Sequence, residues 1–269
     1  MVKEIACFIT CGYTEAGAMQ AFLRKINPEY SFRQYLPNKS IKPKGTSKPI
    51  DKNINGLTGD ALISKVYDIL NNHKDIGNSS AILIEDDLDA RFHDMTAAEI
   101  ADKSHHIKEN IHRILGRDIP VFLLYASPEV EAWFLADWKR SFQLVYCNSE
   151  MYAELSSQVK RFFLHHLRLY VFSEVLGRYK DCIEDYGWVD GKYRKLSDEL
   201  IQTFDQNIIS YLQSLANTND DYIKQIVGSS IRYNKKLHGD IMLRNIEPAV
   251  VGQQCKKYFL PQYSLIRDL

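Results

Sequence analysis

Glu15, Asp87 and Asp89 are the residues whose types and spacing could do chemistry together. Glu15 follows an apolar run, Glu4 to Cys11 (EIACFITC), across a break at Gly12-Tyr13-Thr14. Asp86, Asp87 and Asp89 follow a second run, Ser80 to Glu85 (SAILIE). Glu129 and Glu131 follow a third, Pro120 to Ala126 (PVFLLYA). Short apolar runs of this kind read as buried strands. In open parallel sheets, ligands sit beyond the carboxyl ends of the strands. If the three strands are neighbours, the acids gather on one edge. Crowded carboxylates raise one another's pKa unless a cation lies among them. Oxygen donors suit Mg²⁺ or Mn²⁺, and few histidines or cysteines lie near these strands to favour zinc. Taken singly, each acid reads more readily as a helix cap or a solvated turn. Acids after three successive strands are less readily accidental. The expectation is a metal site on Glu15, Asp87 and Asp89, with Glu131 available to complete it.

The elements that must position these residues are legible from period. Glu15 to Ile26 has helical spacing, with Met19, Phe22, Leu23 and Ile26 on one side. Ser31 to Tyr35 reads as a weak strand. Leu57 to Asn72 and Ala101 to Leu115 read as helices, the second closed by Gly116. Ser127 and Pro128 read as the cap and first position of a further helix. Strands alternating with helices predict an α/β fold, a mostly parallel sheet covered on both faces. From about Asp137 the pattern turns helical, notably over 149–177 and 196–216. The predicted organisation is a sheet domain over 1–137 and a mainly helical region over 138–269, with 230–269 a candidate to pack back on the sheet.

The 269 residues carry 34 basic and 34 acidic side chains, so no global field demands a polyanion. Local charge is uneven. Between Pro37 and Asn53 stand five lysines and one acid, Asp51, in a stretch with no apolar period. Lys42, Lys44 and Lys48 of this stretch are candidates to meet a nucleic-acid backbone, although a solvated loop is the plainer reading. Between Glu85 and Glu99 stand six acids against Arg91. Lys160 to Tyr170 mixes basic and aromatic residues at helical spacing, which reads first as core packing. Five scattered cysteines without a Cys-x-x-Cys pair fit reduced thiols and a cytoplasmic location. The opening residues are too soon interrupted for a signal peptide. No run approaches the ~18 apolar residues that span a bilayer.

A strand, a turn with glycine, a glutamate opening a helix and a later strand ending in Asp-x-Asp resemble the Toprim arrangement of topoisomerases, primases and OLD-type nucleases. The matching residues are Gly12-Tyr13-Thr14-Glu15 and Asp87-Leu88-Asp89. The chain further resembles a bacterial Toprim-related family through Glu131-Ala132-Trp133, Lys235-Lys236-Leu237-His238-Gly239 and Cys255-Lys256-Lys257-Tyr258-Phe259. The stretch 140–225 matches no motif. The resemblance implies a Toprim-like fold and metal-dependent phosphodiester hydrolysis, as in a nuclease of antiviral defence. It implies Glu15, Asp87 and Asp89 as metal ligands, Glu15 alternatively as general base, and Lys235 or, by preference, Lys236 beside the scissile phosphate. Nucleic acid is the implied partner. A separate ATPase of the ABC or AAA class is another, because the chain has no G-x-x-x-x-G-K-[ST] sequence of its own. A non-catalytic binding or scaffold subunit of the same fold is the alternative.

Overall fold

In a computed structural model, the structure describes residues 3–10, 12, 14–36, 57–89, 95–148, 150–189, 192–215, 219–229 and 231–269. Lys42, Lys44 and Lys48 lie outside the described residues.

The first half alternates strand and helix: β1 (Lys3–Ile9), α1 (Glu15–Ile26), β2 (Tyr30–Leu36), α2 (Gly59–Asn72), β3 (Ala81–Asp87), α3 (Ala97–Leu115) and β4 (Val121–Ala126). The four strands form one parallel sheet in the order β2-β1-β3-β4. From β1 the chain first moves one way, to β2, and then crosses to the other side for β3 and β4. The order therefore reverses between β1 and β3, the position at which open parallel sheets bind ligands.

Because side chains alternate along a strand, each strand serves two cores. Ile5, Cys7, Ile9, Leu83, Phe122 and Leu124 face one side, where α1 and the later helices pack. Ala6, Phe8, Ile82, Ile84, Leu123 and Tyr125 face the other, under α2 and α3. The helices present matching stripes, such as Leu62, Val66 and Leu70 at every fourth position of α2.

Two helix starts differ from the sequence reading. α3 begins at Ala97 rather than Ala101, because Thr96 and Glu99 form a reciprocal capping box. The helix expected after Ser127 begins instead at Glu131, and the Ser127 hydroxyl donates to the Glu184 carbonyl at 2.8 Å.

The remainder is mostly helical: α4 (Glu131–Ala136), α5 (Leu144–Asn148), α6 (Ser157–Tyr170), a short ladder β5 (Trp188–Val189) with β6 (Lys192–Tyr193), then α7 (Leu196–Gln202), α8 (Ile208–Ser214), α9 (Asp220–Gly228), α10 (Lys235–Asn245), α11 (Pro248–Gln254) and α12 (Phe259–Arg267). One hydrophobic cluster runs from the first sheet face into these helices. Trp133 sits fully buried in it, stacked on Phe22 at 5.3 Å and edge-on to Phe259 at 5.0 Å. Polar ties fix the same packing. The Lys25 ammonium donates to the carbonyls of Arg244 and Ile246, at the carboxyl end of α10. Asn27 donates to the Ile266 carbonyl, and the Tyr30 hydroxyl to that of Leu269. Among the described residues, no helix is long and apolar enough to cross a membrane.

The closing segment is held by one buried acid. The Glu184 carboxylate accepts backbone N–H bonds from Lys257, Tyr258 and Phe259, the unpaired donors at the start of α12. Burial raises the Glu184 pKa, against the lowering effect of those three donors. Replacing Glu184 by Ala should strand them and cost about 3 kcal/mol of stability. Glu184→Gln, which keeps an acceptor oxygen, should cost less than half of that. Urea unfolding of the two variants measures the difference, and equal losses would show that the carboxylate's hydrogen bonds do not hold the segment.

Candidate carboxylate site

β3 extends two residues further than the sequence reading placed it, and this decides which acids meet. Glu85, Asp86 and Asp87 lie inside the strand, paired with Leu124, Tyr125 and Ala126 of β4. Strand alternation sends Glu85 and Asp87 to the face shared with α1, and Asp86 to the other. Asp86 is spent locally: its carboxylate accepts from the Gly59 backbone N–H at 2.7 Å, at the start of α2. Leu88 follows Asp86 into the second core. Asp89 lies half-buried two residues past the last strand residue, where the ladder no longer dictates its face.

Glu15 reaches the same edge from the first position of α1 and is 4% exposed. A Cβ at Gly12 would run into its carboxylate, so the glycine makes room for the glutamate three residues on. Glu129 and Glu131 arrive from beyond β4, both buried. The Ser197 hydroxyl and backbone N–H donate to Glu129 at 2.9 and 3.0 Å. The Tyr233 hydroxyl donates to Glu131 at 2.9 Å.

Among the described residues, a single cation enters this group. Lys235, at the first position of α10, stands 2.8 Å from Glu129 and 3.3 Å from Glu131. Burial alone would lower its pKa, but Glu131 and Glu129 hold it above the ordinary value. The sequence reading preferred Lys236 for this place. Lys236 is exposed, and the structure sets Lys235 at the acids instead. The choice follows from helix phase, since adjacent helical residues point apart. Behind Lys235, α10 approaches α1 closely at Gly239, where a Cβ would strike the Thr14 side chain. Buried His238 accepts at Nδ1 from the Asn234 N–H and meets the Tyr152 hydroxyl at 3.1 Å through Nε2.

The acids act on one another electrostatically. Burial and the charge of Glu131 push the Glu15 pKa up to about 7. Asp87 is raised well above its usual range by burial, then by Glu15, Glu85, Glu129 and Glu131. Glu85 is raised by burial, then by Glu15 and Asp86. Glu131 is raised by burial, with Lys235 opposing. The structure thus brings Glu15, Asp87 and Glu131 into one field and adds Glu85 and Glu129. Glu85 was hidden because it reads as the last residue of an apolar strand; only the strand's true length exposes its role.

Three oxygens in this field, Oε1 of Glu85, Oδ1 of Asp87 and Oε2 of Glu131, are buried and accept no hydrogen bond. Buried acceptors without a partner are costly. A hard cation would satisfy all three and relieve the repulsion, so the donor set fits Mg²⁺ or Mn²⁺ in kind. The side chains do not converge on a point as they stand. Among the described residues, no group of three or more His, Cys, Asp or Glu is close enough to hold a metal ion.

Comparison with protein-family models, with curated proteins and with solved structures gave no match for this chain.

Two outcomes follow from this geometry. A carboxyl whose pKa rises on folding stabilises the fold fully below its unfolded value, and that contribution is lost as pH rises through the folded value. For Glu15, between 4.5 and about 7, the loss is about 3 kcal/mol. Without added metal the chain should therefore melt higher at pH 5 than at pH 7.5, and Glu15→Gln should flatten the difference. A melting temperature that climbs from pH 5 to pH 7.5 would contradict the burial of these charges. Separately, Gly239→Ala should push α10 off Thr14 and cost about 2 kcal/mol by overpacking. Gly228→Ala, where no atom lies within 4 Å of the added Cβ, serves as the control; equal stability of the two variants would refute the close approach.

Proposed function

We propose that this chain is a divalent-metal-dependent phosphodiesterase acting on nucleic acid, with its site on the carboxylates at the β1–β3 switch point. The observation that carries the reading is the set of three buried, unpartnered carboxylate oxygens among mutually raised acids. A fold does not normally concentrate buried negative charge without a cation to use it.

Glu15, Asp87 and Glu131 would hold the ion, with Glu85 behind them and Asp89 at the rim. When bound, Mg²⁺ or Mn²⁺ supplies neutralisation of phosphate charge and a water of lowered pKa. The chain's own residues prepare the site. Ser197 and Tyr233 fix Glu129 and Glu131 in orientation. Lys235 offsets these two acids, and its side chain is 38% exposed, so its ammonium can also meet a phosphate oxygen at the rim. Electropositive approach would come from basic segments away from the acids, with Lys42, Lys44 and Lys48 as the sequence candidates.

A second reading, a binding or scaffold module without turnover, is favoured by the Lys235 ion pairs, which already give Glu129 and Glu131 an internal counter-ion. A separate ATPase subunit is compatible with both readings.

The test is cleavage of pooled single- and double-stranded DNA and RNA with Mg²⁺ or Mn²⁺. Cleavage should require the metal, and Glu15→Gln and Asp87→Asn should each reduce it about 100-fold or more. Both variants should keep their fold, because each removes a buried charge. Metal-independent cleavage, or full activity in both variants, would falsify the reading. Nucleic acid bound but never cleaved would favour the module without turnover.

A further inference from the structure

A second site lies on the opposite side of the sheet from the carboxylates. A cavity of about 390 Å³ opens between α3, the outer edge of β4 and the start of α12. Its size suits a small organic ligand. Ile100, Leu123 and Pro261 give it apolar walls, and the rings of Tyr125 and Tyr258 line it. The free edge of β4 is closed at this point, because the Leu123 N–H donates to the Gln262 side chain at 3.3 Å. The cavity is therefore bounded by side chains rather than by an open strand edge. Glu184 fixes its α12 wall through the three backbone bonds described above.

Its basic groups are Lys108, Lys257 and His105, and among the described residues no aspartate or glutamate lines it. Lys257 is paired with Asp185 at 3.1 Å, and His105 lies 3.3 Å from Glu109. Lys108 differs. It is half-buried on α3, and among the described residues it makes no ion pair or hydrogen bond. Burial lowers its pKa. A partly desolvated ammonium without a counter-ion is stabilised by an anion delivered to it. Beside it, the Tyr125 hydroxyl lies 3.2 Å from Ser104 Oγ, two hydroxyls that can orient a polar group.

We propose that this cavity binds a small anion with a flat ring body, a nucleoside monophosphate or an aryl phosphate, with Lys108 on the phosphate and the ring against Tyr125 and Tyr258. The ring gains apolar and stacking contact, and the phosphate meets the cavity's lysine that is unpaired among the described residues. The site is independent of the carboxylates, because Leu123 and Tyr125 face the second core.

The experiment is calorimetric titration of the full chain with AMP, UMP, phenyl phosphate, adenosine and inorganic phosphate, without divalent metal. At least one of the three ring phosphates should bind saturably at one site per chain. Adenosine and inorganic phosphate should bind about tenfold or more weaker, since each lacks half of the recognition. AMP or UMP above phenyl phosphate identifies a nucleotide source; the reverse order identifies an aryl phosphate. Lys108→Met should weaken binding about tenfold without lowering the melting temperature. Ala101→Phe, which fills the cavity from its α3 wall, should abolish it. Asp87→Asn should leave the affinity unchanged, separating this site from the carboxylates. No saturable binding of any ring phosphate, unchanged affinity in Lys108→Met, or loss of affinity in Asp87→Asn would overturn the proposal.

Discussion

The contact of Lys235 with Glu129 and Glu131 is the constraint on which the arrangement of this molecule turns. Five carboxyl groups, Glu15, Glu85, Asp87, Glu129 and Glu131, are drawn into one partly dry region with a single ammonium among them. That ammonium is supplied from more than a hundred residues away, by a helix outside the strand–helix alternation. The N-terminal half alone would leave its acids facing one another. The closure of α10 over α1, allowed at Gly239 and tied by Lys25, brings the counter-charge in.

The same logic explains how the charge is distributed. Four of the five acids have a fixed neighbour: Thr10 for Glu85, Ser197 for Glu129, Tyr233 for Glu131, and the helix start for Glu15. Glu85 and Glu131 are held in this way while one buried oxygen of each remains without a partner among the described residues. A structure built for stability alone would have filled this space with apolar side chains, since replacing buried charge by packed hydrocarbon is often stabilising. On the proposed function, that cost is retained to receive a cation.

The two sites on either side of the sheet differ in charge. The one under α1 and α10 gathers acids. On the other side, beyond β4, Lys108 and Lys257 line a cavity with no acid among its described residues. Equal numbers of acids and bases over the chain conceal this division. Strand alternation places Glu85 and Asp87 on the first side, while α3 and the start of α12 bring the lysines to the second.

Much of this was legible in the residues. Three buried strands, the helices between them and the acids past their ends follow from apolar period and turn breaks, because burial on both faces demands continuous hydrocarbon. Gly12 marked the break after the first strand, but not its close approach to the Glu15 carboxylate. The Thr96–Glu99 capping box was also present in the sequence, and reading it would have placed the start of α3 correctly. Other decisions belonged to tertiary structure. How far β3 runs is set by its pairing with β4, and that length alone assigns Glu85 and Asp87 to one face and Asp86 to the other. Which of two adjacent lysines meets the acids is set by the phase of α10, which depends on its packing against α1 at Gly239 and against Tyr152 and Tyr233 through His238. Sequence could name the acids, because side-chain chemistry is local. It could not choose the partner, because a counter-ion brought from a distant helix exists only once the chain has folded.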